Sequence, residues 1–142
     1  MKSSTSTISS AAQTLSAGYD YTLVVYGSLS GTPSATLLVD DNRISDTSSS
    51  YAKVRLVHTV TDLSSSPLTL YVNSAAKASG VSYGAGSDYA SLASTISATL
   101  AVLSPAASMY SATDVTFASG ATYTLFMLGT SASPRGLLVQ DH

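Results

Sequence analysis

The 142-residue sequence has no cysteine, no tryptophan and no glutamate, and only 10% of its residues are charged. Without cysteine it can form neither a disulfide nor a thiolate metal site. All eight acidic residues are Asp, and only six residues are Lys or Arg. The sequence therefore has few of the Glu, Lys and Arg residues that commonly cover helix surfaces. Ser and Thr are the main polar residues, and both suit turns and the outer faces of strands. The composition predicts an all-β protein.

Charge and hydropathy argue against two further classes of protein. The net charge is -2 and the six Lys and Arg residues are scattered, so the basic stripe typical of nucleic-acid binding is missing. No apolar run approaches the roughly 18 residues that a spanning helix needs, and Met1 leads into polar residues rather than a signal-peptide core. The charge-poor, Ser/Thr-rich composition favours an extracytoplasmic location, with the signal segment outside this chain.

A short motif occurs twice and organises the chain. Gly120 to Gly129 reads Gly-Ala-Thr-Tyr-Thr-Leu-Phe-Met-Leu-Gly, and Gly18 to Gly27 is its copy. In each copy a glycine is followed three residues later by Tyr-Thr-Leu, then by a second glycine, a polar loop, and Leu-Leu-Val with an acidic residue. Glycine supplies the backbone conformation with φ > 0 that a tight corner between strands requires.

The tyrosine of each copy lies near the start of the strand that follows the glycine. β-Sandwiches carry a tyrosine at such a corner, where its hydroxyl bonds to the backbone a few residues upstream. We therefore predict structural roles for Gly18, Tyr21, Gly120 and Tyr123. Ligand binding by the two tyrosines is the alternative, although buried tyrosines usually pack and satisfy one hydrogen bond.

Alternation of apolar and polar residues predicts short strands throughout the chain. The first block has candidate strands at Ile8 to Leu15, Tyr21 to Tyr26 and Ala35 to Val39, and the second of these is apolar on both faces, as in a covered central strand. Residues 43–50 are predicted to be a polar linker. From Tyr51 onward, strands recur about every ten residues, which predicts an antiparallel Ig-like β-sandwich with Greek-key connections.

Several motifs in the second block resemble the DUF4397 family. They are Tyr-Ala-Lys-Val-Arg-Leu-Val-His at 51–58, Leu-Tyr-Val-Asn at 70–73, Ala-Ser-Gly-Val-Ser-Tyr-Gly at 78–84, Ser-Asp-Tyr at 87–89, and Gly-Ala-Thr-Tyr-Thr-Leu with its closing Gly129. The resemblance implies an Ig-like fold and an interaction module of uncharacterised function, found in tandem copies in secreted or lipid-anchored bacterial proteins. Residues 51–142 resemble one full copy, and residues 1–42 resemble the C-terminal part of a preceding copy.

The chain departs from the family in one loop. The Pro-Asp-Ala-Pro that usually follows the histidine is replaced by Val-Thr-Asp-Leu at 60–63, so any role of that loop in the family does not carry over. The resemblance implies three parts: the end of one unit at 1–42, a linker at 43–50, and a complete sandwich at 51–142.

One motif raises the possibility of catalysis. Gly80 to Gly84 fits the Gly-x-Ser-x-Gly pattern of a nucleophile elbow, and Asp114 and His142 follow Ser82 in hydrolase order. An elbow needs a helix after the serine, whereas Gly-Ala-Gly-Ser at 84–87 favours a turn. We expect a tight β-turn at Ser82 and no enzyme activity.

Metal binding has two candidate sites in the sequence. His58 is the only internal histidine, and one imidazole is not a zinc site, so we predict that it is a hydrogen-bonded, loop-anchoring residue, with a pH role as the alternative. Asp40, Asp41 and Asn42, with Asp20 or Asp46, offer the oxygen ligands that calcium prefers, but their spacing is not that of an EF-hand. We expect no cofactor.

We interpret the chain as a binding or spacer module of a bacterial surface or periplasmic protein, with a protein or glycan partner that the sequence does not identify. A carbohydrate-binding module that uses the faces of Tyr71, Tyr83 and Tyr89 is the first alternative, and a hydrolase through Ser82 is the second.

The incomplete first copy needs a cover. Three candidate strands with apolar residues on both faces would leave a bare patch and a strand edge, which proteins in water avoid. The cover is either the intact domain of the same chain or a second chain. The length of the 43–50 linker favours the second chain, in a strand-exchanged homodimer.

Overall fold

The computed structural model describes residues 12–28, 30–40 and 50–141. Those residues form ten strands and no helix. The strands are β1 (Asp20–Tyr26), β2 (Ser34–Asp40), β3 (Tyr51–His58), β4 (Leu68–Val72), β5 (Ala75–Val81), β6 (Ala90–Ala93), β7 (Thr95–Leu103), β8 (Ser108–Phe117), β9 (Thr122–Thr130) and β10 (Ser133–Gln140). Within the described residues, no helix has the length and apolarity needed to cross a membrane.

Eight of these strands make a sandwich of two four-stranded sheets. One sheet has the order β10-β9-β3-β6 and the other has the order β5-β4-β7-β8. All pairs are antiparallel except β3 and β9, which run parallel. A single apolar cluster fills the space between the sheets, and its largest fully buried side chains include Leu56, Leu70, Leu100, Phe117 and Leu125. The predicted all-β sandwich is confirmed.

The period-2 pattern accounts for the core. In β4, Leu68, Leu70 and Val72 are buried, while the intervening Thr69 and Tyr71 face outward. The turn to β5 uses Asn73 and Ser74 at φ values of 49° and 65°, the left-handed conformation that a two-residue hairpin turn requires.

The β1–β2 hairpin forms a third layer on the outer face of the β10-β9-β3-β6 sheet. Its inner side, which includes Val24 at 9% exposed, packs on that sheet. Its outer side is bare, with Leu23 and Val25 63% and 57% exposed. The prediction that residues 21–26 form a strand covered on both faces is therefore wrong, because among the described residues only one face has a neighbour.

Two other predictions concern the first block. The predicted strand at Ile8 to Leu15 lies partly outside the described residues, and residues 12–15 are not a strand. The counterpart of this segment in the second copy is β8, which pairs only with β7. The described part of the first block contains no strand equivalent to β7, so the segment has no strand to pair with there. The predicted linker at 43–50 lies outside the described residues except for Ser50.

The two copies of the motif fold alike. Tyr21 pairs with Val39 in the first hairpin, and Tyr123 pairs with Gln140 in the β9–β10 hairpin. This register makes Asp40 the structural counterpart of Asp141. The hairpin that lies on the sandwich thus has the same construction as the hairpin that completes it.

Candidate functional site

Arg55 carries a buried charge at the contact between the β1–β2 hairpin and the sandwich. We call this contact region, which extends from Arg55 and Asp40 to Tyr26 and Tyr83, the joint. It lies in β3 on the side turned away from the core, yet only 2% of its surface is exposed, because the hairpin covers it. Its Nε donates to the hydroxyl of Thr124 at 2.8 Å. Its terminal nitrogens donate to the carbonyl of Val39 at 3.0 Å and form an ion pair with Asp40. The guanidinium therefore binds β9 of its own sheet and β2 of the hairpin at once.

The same threonine and aspartate pair occurs in both hairpins. The hydroxyl of Thr22 donates to the carboxylate of Asp40 at 2.7 Å, and that of Thr124 donates to Asp141 at 2.6 Å. Each threonine is the residue directly after the motif tyrosine. Arg55 lies between the two pairs, because it binds the threonine of one and the aspartate of the other.

Tyr89 completes this polar cluster. Its ring lies under the guanidinium of Arg55, with 4.6 Å between Cζ and the ring centroid, which is a cation-π contact. Its hydroxyl donates to Asp141 at 2.8 Å. Burial raises the pKa of Tyr89 well above its ordinary value, so the phenol stays protonated and keeps its donor.

A second set of contacts lies at the other end of the hairpin. The ring of Tyr26 meets that of Tyr83 edge to face, with centroids 5.2 Å apart. The hydroxyl of Thr36 donates to the carbonyl of Gly84 at 2.8 Å. The hairpin is therefore tied to the sandwich at both ends, by an ion pair at one and by aromatic and backbone contacts at the other.

Glycines allow this close approach. Gly84 has φ +77°, and a Cβ placed there would overlap the hydroxyl of Tyr26. A Cβ on Gly86 would lie 3.1 Å from the side chain of Leu38. The two glycines of the Gly-Ala-Gly segment after Tyr83 therefore leave room for Tyr26 and Leu38 of the hairpin.

The model of a family described as a domain of unknown function, DUF4397, matches residues 52–142. The chain belongs to the DUF4397 family. The matched residues form the complete sandwich from β3 onward, so the resemblance found in the sequence is confirmed. A search of curated proteins found no match. The DUF4397 sandwich holds Arg55, Tyr89 and Gly84, whereas Asp40 and Tyr26 come from the hairpin that precedes it.

Both motif tyrosines bond to the backbone upstream. The hydroxyl of Tyr123 accepts a hydrogen bond from the N–H of Ala118 at 3.0 Å, and that of Tyr21 accepts one from Ser16 at 2.9 Å. Gly120 and Gly18, which lie between the bonded residues, have φ values of 76° and 82°. Tyr123 is 6% exposed and packs edge to face on Phe117, while Tyr21 is half-buried. The loop before Tyr123 crosses from one sheet to the other.

His58 is fully buried at the end of β3. Its Nδ1 accepts from the backbone N–H of Val60 at 3.3 Å, and its Nε2 lies 3.1 Å from the carbonyl of Ser66, which assigns the proton to Nε2. Burial lowers the pKa of His58, and backbone hydrogen bonds partly oppose that shift. The Asp62 carboxylate accepts hydrogen bonds from the backbone N–H and the hydroxyl of Ser131, and those bonds lower the pKa of Asp62.

The residues of the elbow motif lie in a turn. The backbone N–H of Ala85 donates to the carbonyl of Ser82 at 3.1 Å, and no helix follows in the described chain. Ser82 is exposed. Asp114 accepts a hydrogen bond from Ser97, and both nitrogens of His58 are already bonded. His142 lies outside the described residues.

Most of the remaining candidate ligand-binding residues, for calcium and for sugar, either contact other protein groups at the joint or lie outside the described residues. Asp40 is engaged by Thr22 and Arg55, while Asp41, Asn42 and Asp46 lie outside the described residues. The described residues contain no group of three or more His or Asp side chains that could hold a metal ion. Tyr83 and Tyr89 contact protein groups at the joint, and only Tyr71 of the proposed sugar platform lines a groove on an outer sheet face.

Sequence reasoning missed Arg55. In β3 the charged Lys53 and Arg55 alternate with Ala52, Val54 and Leu56, which is the ordinary pattern of a strand with one solvated face. The available signal was the repeat of Thr near the start of one strand and Asp at the end of its partner strand. A buried arginine beside a duplicated Thr and Asp pair follows only when the hairpin is placed over it.

We expect Tyr123→Phe to lower the free energy of unfolding by about 0.5 to 1.5 kcal/mol, because the Ala118 N–H loses its acceptor while the ring keeps its packing. Denaturant unfolding measures the change. Tyr21→Phe is the matched control and should cost less, because Tyr21 is half-buried. A Tyr123→Phe protein as stable as the parent would contradict the structural role of this hydroxyl.

We expect the free energy of unfolding to fall as the pH drops below the ordinary His58 value of 6.5. The lowered pKa keeps the folded imidazole neutral, whereas the unfolded chain takes up a proton, so acid favours unfolding until the folded pKa is also passed. The measurement is the slope of unfolding free energy between pH 7.5 and 5. His58→Gln should flatten that slope and His142→Gln should keep it. An unchanged slope in His58→Gln would refute this account.

Proposed function

We propose that the chain is a non-catalytic interaction or spacer module of a bacterial surface or periplasmic protein, in which the end of one DUF4397 unit is held at a fixed angle on the next. In this proposal, residues 1–42 are the end of a preceding unit, the 43–50 segment connects it, and residues 51–142 are the following unit. The fixed joint, rather than a reaction, is what the module contributes. Tyr21 and Tyr123 act as tyrosine corners that stiffen the two hairpins.

The observation that carries the proposal is the burial of Arg55 between two hairpins of like construction. A guanidinium removed from water is costly unless it is paired and its donors are bonded. Here the partners come from both units: Thr124 and Tyr89 from its own, Asp40 and the Val39 carbonyl from the preceding one. Separating the units would break this set, which favours one relative orientation.

The contacts at the far end of the joint support the same interpretation. A single ion pair would act as a pivot, because two bodies joined at one point can still rotate. The Tyr26 and Tyr83 contact and the bond from Thr36 to Gly84 add a second, separate attachment. Two attachments at opposite ends of a hairpin whose strands are each seven residues long define an orientation.

The extracytoplasmic part of the proposal rests on composition and on the resemblance. The chain has no cysteine, few charges and strand faces rich in Ser and Thr. Such a surface is compatible with an exposed position outside the cell, where the resemblance places secreted and lipid-anchored proteins of this family.

We expect Gly84→Ala to release the hairpin, because the added methyl group overlaps the Tyr26 hydroxyl. The reporter is a Val24→Cys thiol on the inner face of the hairpin, unique because the chain has no other cysteine. Its reaction with a thiol reagent should quicken by about tenfold or more, since about 1.4 kcal/mol of lost docking energy is tenfold in the closed-to-open equilibrium.

Gly80→Ala is the matched control. Gly80 also has a positive φ of 68°, so it carries the same backbone strain on substitution, but a Cβ there meets nothing within 4 Å. The thiol should stay protected in this variant. Equal reactivity in the Gly84 and Gly80 variants would contradict a joint that depends on the Tyr26 contact.

A further inference from the structure

The outer face of the β1–β2 hairpin is apolar and uncovered. Leu23, Val25 and Val39 are 63%, 57% and 53% exposed, and Leu37, the direct partner of Leu23, lies between them on the same face. Single exposed apolar side chains are common on protein surfaces, but a contiguous row on paired strands marks an interaction surface.

The second copy of the hairpin shows what such a face does in a complete unit. Leu23 and Val25 are the counterparts of Leu125 and Met127, which are both 0% exposed. Their side chains are part of the core cluster shared with β4, β7 and β8 of the facing sheet. Leu37 corresponds to Leu138, which packs against the same cluster. By position, the bare face of the first hairpin is therefore a core face.

We propose that this bare face docks a four-stranded β-sheet of the β5-β4-β7-β8 kind, supplied by a preceding unit of the same family. The proposal rests on the proposed function, which makes the hairpin the end of a preceding unit. It adds that the hairpin is shared: its inner face belongs to the joint with the following unit, and its outer face closes the core of the preceding one.

The size of the face disfavours a second copy of the hairpin as its cover. Two strands of seven residues present a face of about 240 Å², from the strand rise and spacing. Two such faces in contact would bury about 500 Å² in total, well below the roughly 1,200 Å² of stable interfaces. The area limit does not apply to a full four-stranded sheet, because its strands extend beyond the hairpin and are also stabilised by their contacts with each other.

The test uses a single thiol at Leu23→Cys in two chains. The first is the 142-residue chain. The second is extended by placing residues 50–107, which carry β3 to β7, ahead of residue 6, the position that the alignment of Gly18 with Gly120 makes equivalent to residue 108. We expect the Leu23→Cys thiol to react as an exposed group in the first chain and at least about 100-fold more slowly in the extended one.

Ile96→Cys in the original unit is the control, because Ile96 is 82% exposed and lies on β7, outside the hairpin. Its reaction rate should be the same in both chains. Equal rates for Leu23→Cys in both chains would overturn the proposal. So would a thiol already protected in the 142-residue chain at micromolar concentration, because a second copy would then cover the face.

Folding of the added strands is a second measurement. According to the proposal, the added strands fold because the hairpin closes their core. An extended chain without added β-strand signal in far-ultraviolet circular dichroism would therefore also count against it. The Val24→Cys thiol on the inner face separates the two proposals. If that thiol stays protected while Leu23→Cys stays reactive, the joint stands and only this inference fails.

Discussion

The guanidinium of Arg55 imposes the constraint on which the arrangement of the layers depends. It is nearly excluded from water, so it requires a hydrogen-bond partner for each donor and a charge of opposite sign nearby. Its own sheet supplies Thr124 and the face of Tyr89, but the carboxylate and one carbonyl come from the hairpin. The sandwich core would exist without the hairpin, because the buried cluster lies within residues 52–127. The relative orientation of the two parts depends on Arg55 at one end of the hairpin together with the Tyr26 and Tyr83 contact at the other.

The same hairpin is used in two ways in this chain. In the complete unit, one face of β9–β10 closes the core and the other face supplies Thr124 to the joint. In the first block, the face that supplies Asp40 is docked and the core face is bare. Residues that have the same role in both copies recur in the sequence: the corner glycine, the tyrosine, and the Thr and Asp pair. Leu38 and Tyr26 lie close to the Gly-Ala-Gly segment only in the first copy, and their counterparts in the second copy are the different residues Val139 and Leu128.

Local sequence patterns predicted the strands and the corner. They did not predict the burial of Arg55, because it depends on contacts between residues that are distant in the sequence. The strand at Leu68, Leu70 and Val72 and the corner at Gly120 follow from alternation and from φ > 0, which are properties of neighbouring residues. Arg55 has the sequence pattern of a solvated position, and it is buried only because the hairpin covers it, with Asp40 lying 15 residues earlier in the chain. Aligning the Leu-Leu-Val segments would match Asp40 with Gln140, whereas the pairing matches it with Asp141; a slip of one residue exchanges the two faces of a strand.

The predicted strand-exchanged dimer and the intrachain joint differ in which chain supplies Tyr26 to a given Tyr83. In the single chain described here the two rings are 5.2 Å apart, so the hairpin reaches its own sandwich. The direct measurement is a nuclear Overhauser effect between these rings in a sample that mixes isotope-labelled and unlabelled chains. The account predicts a strong effect within one chain and none between labelled and unlabelled chains. An effect seen only between chains would contradict the intrachain joint and establish exchange.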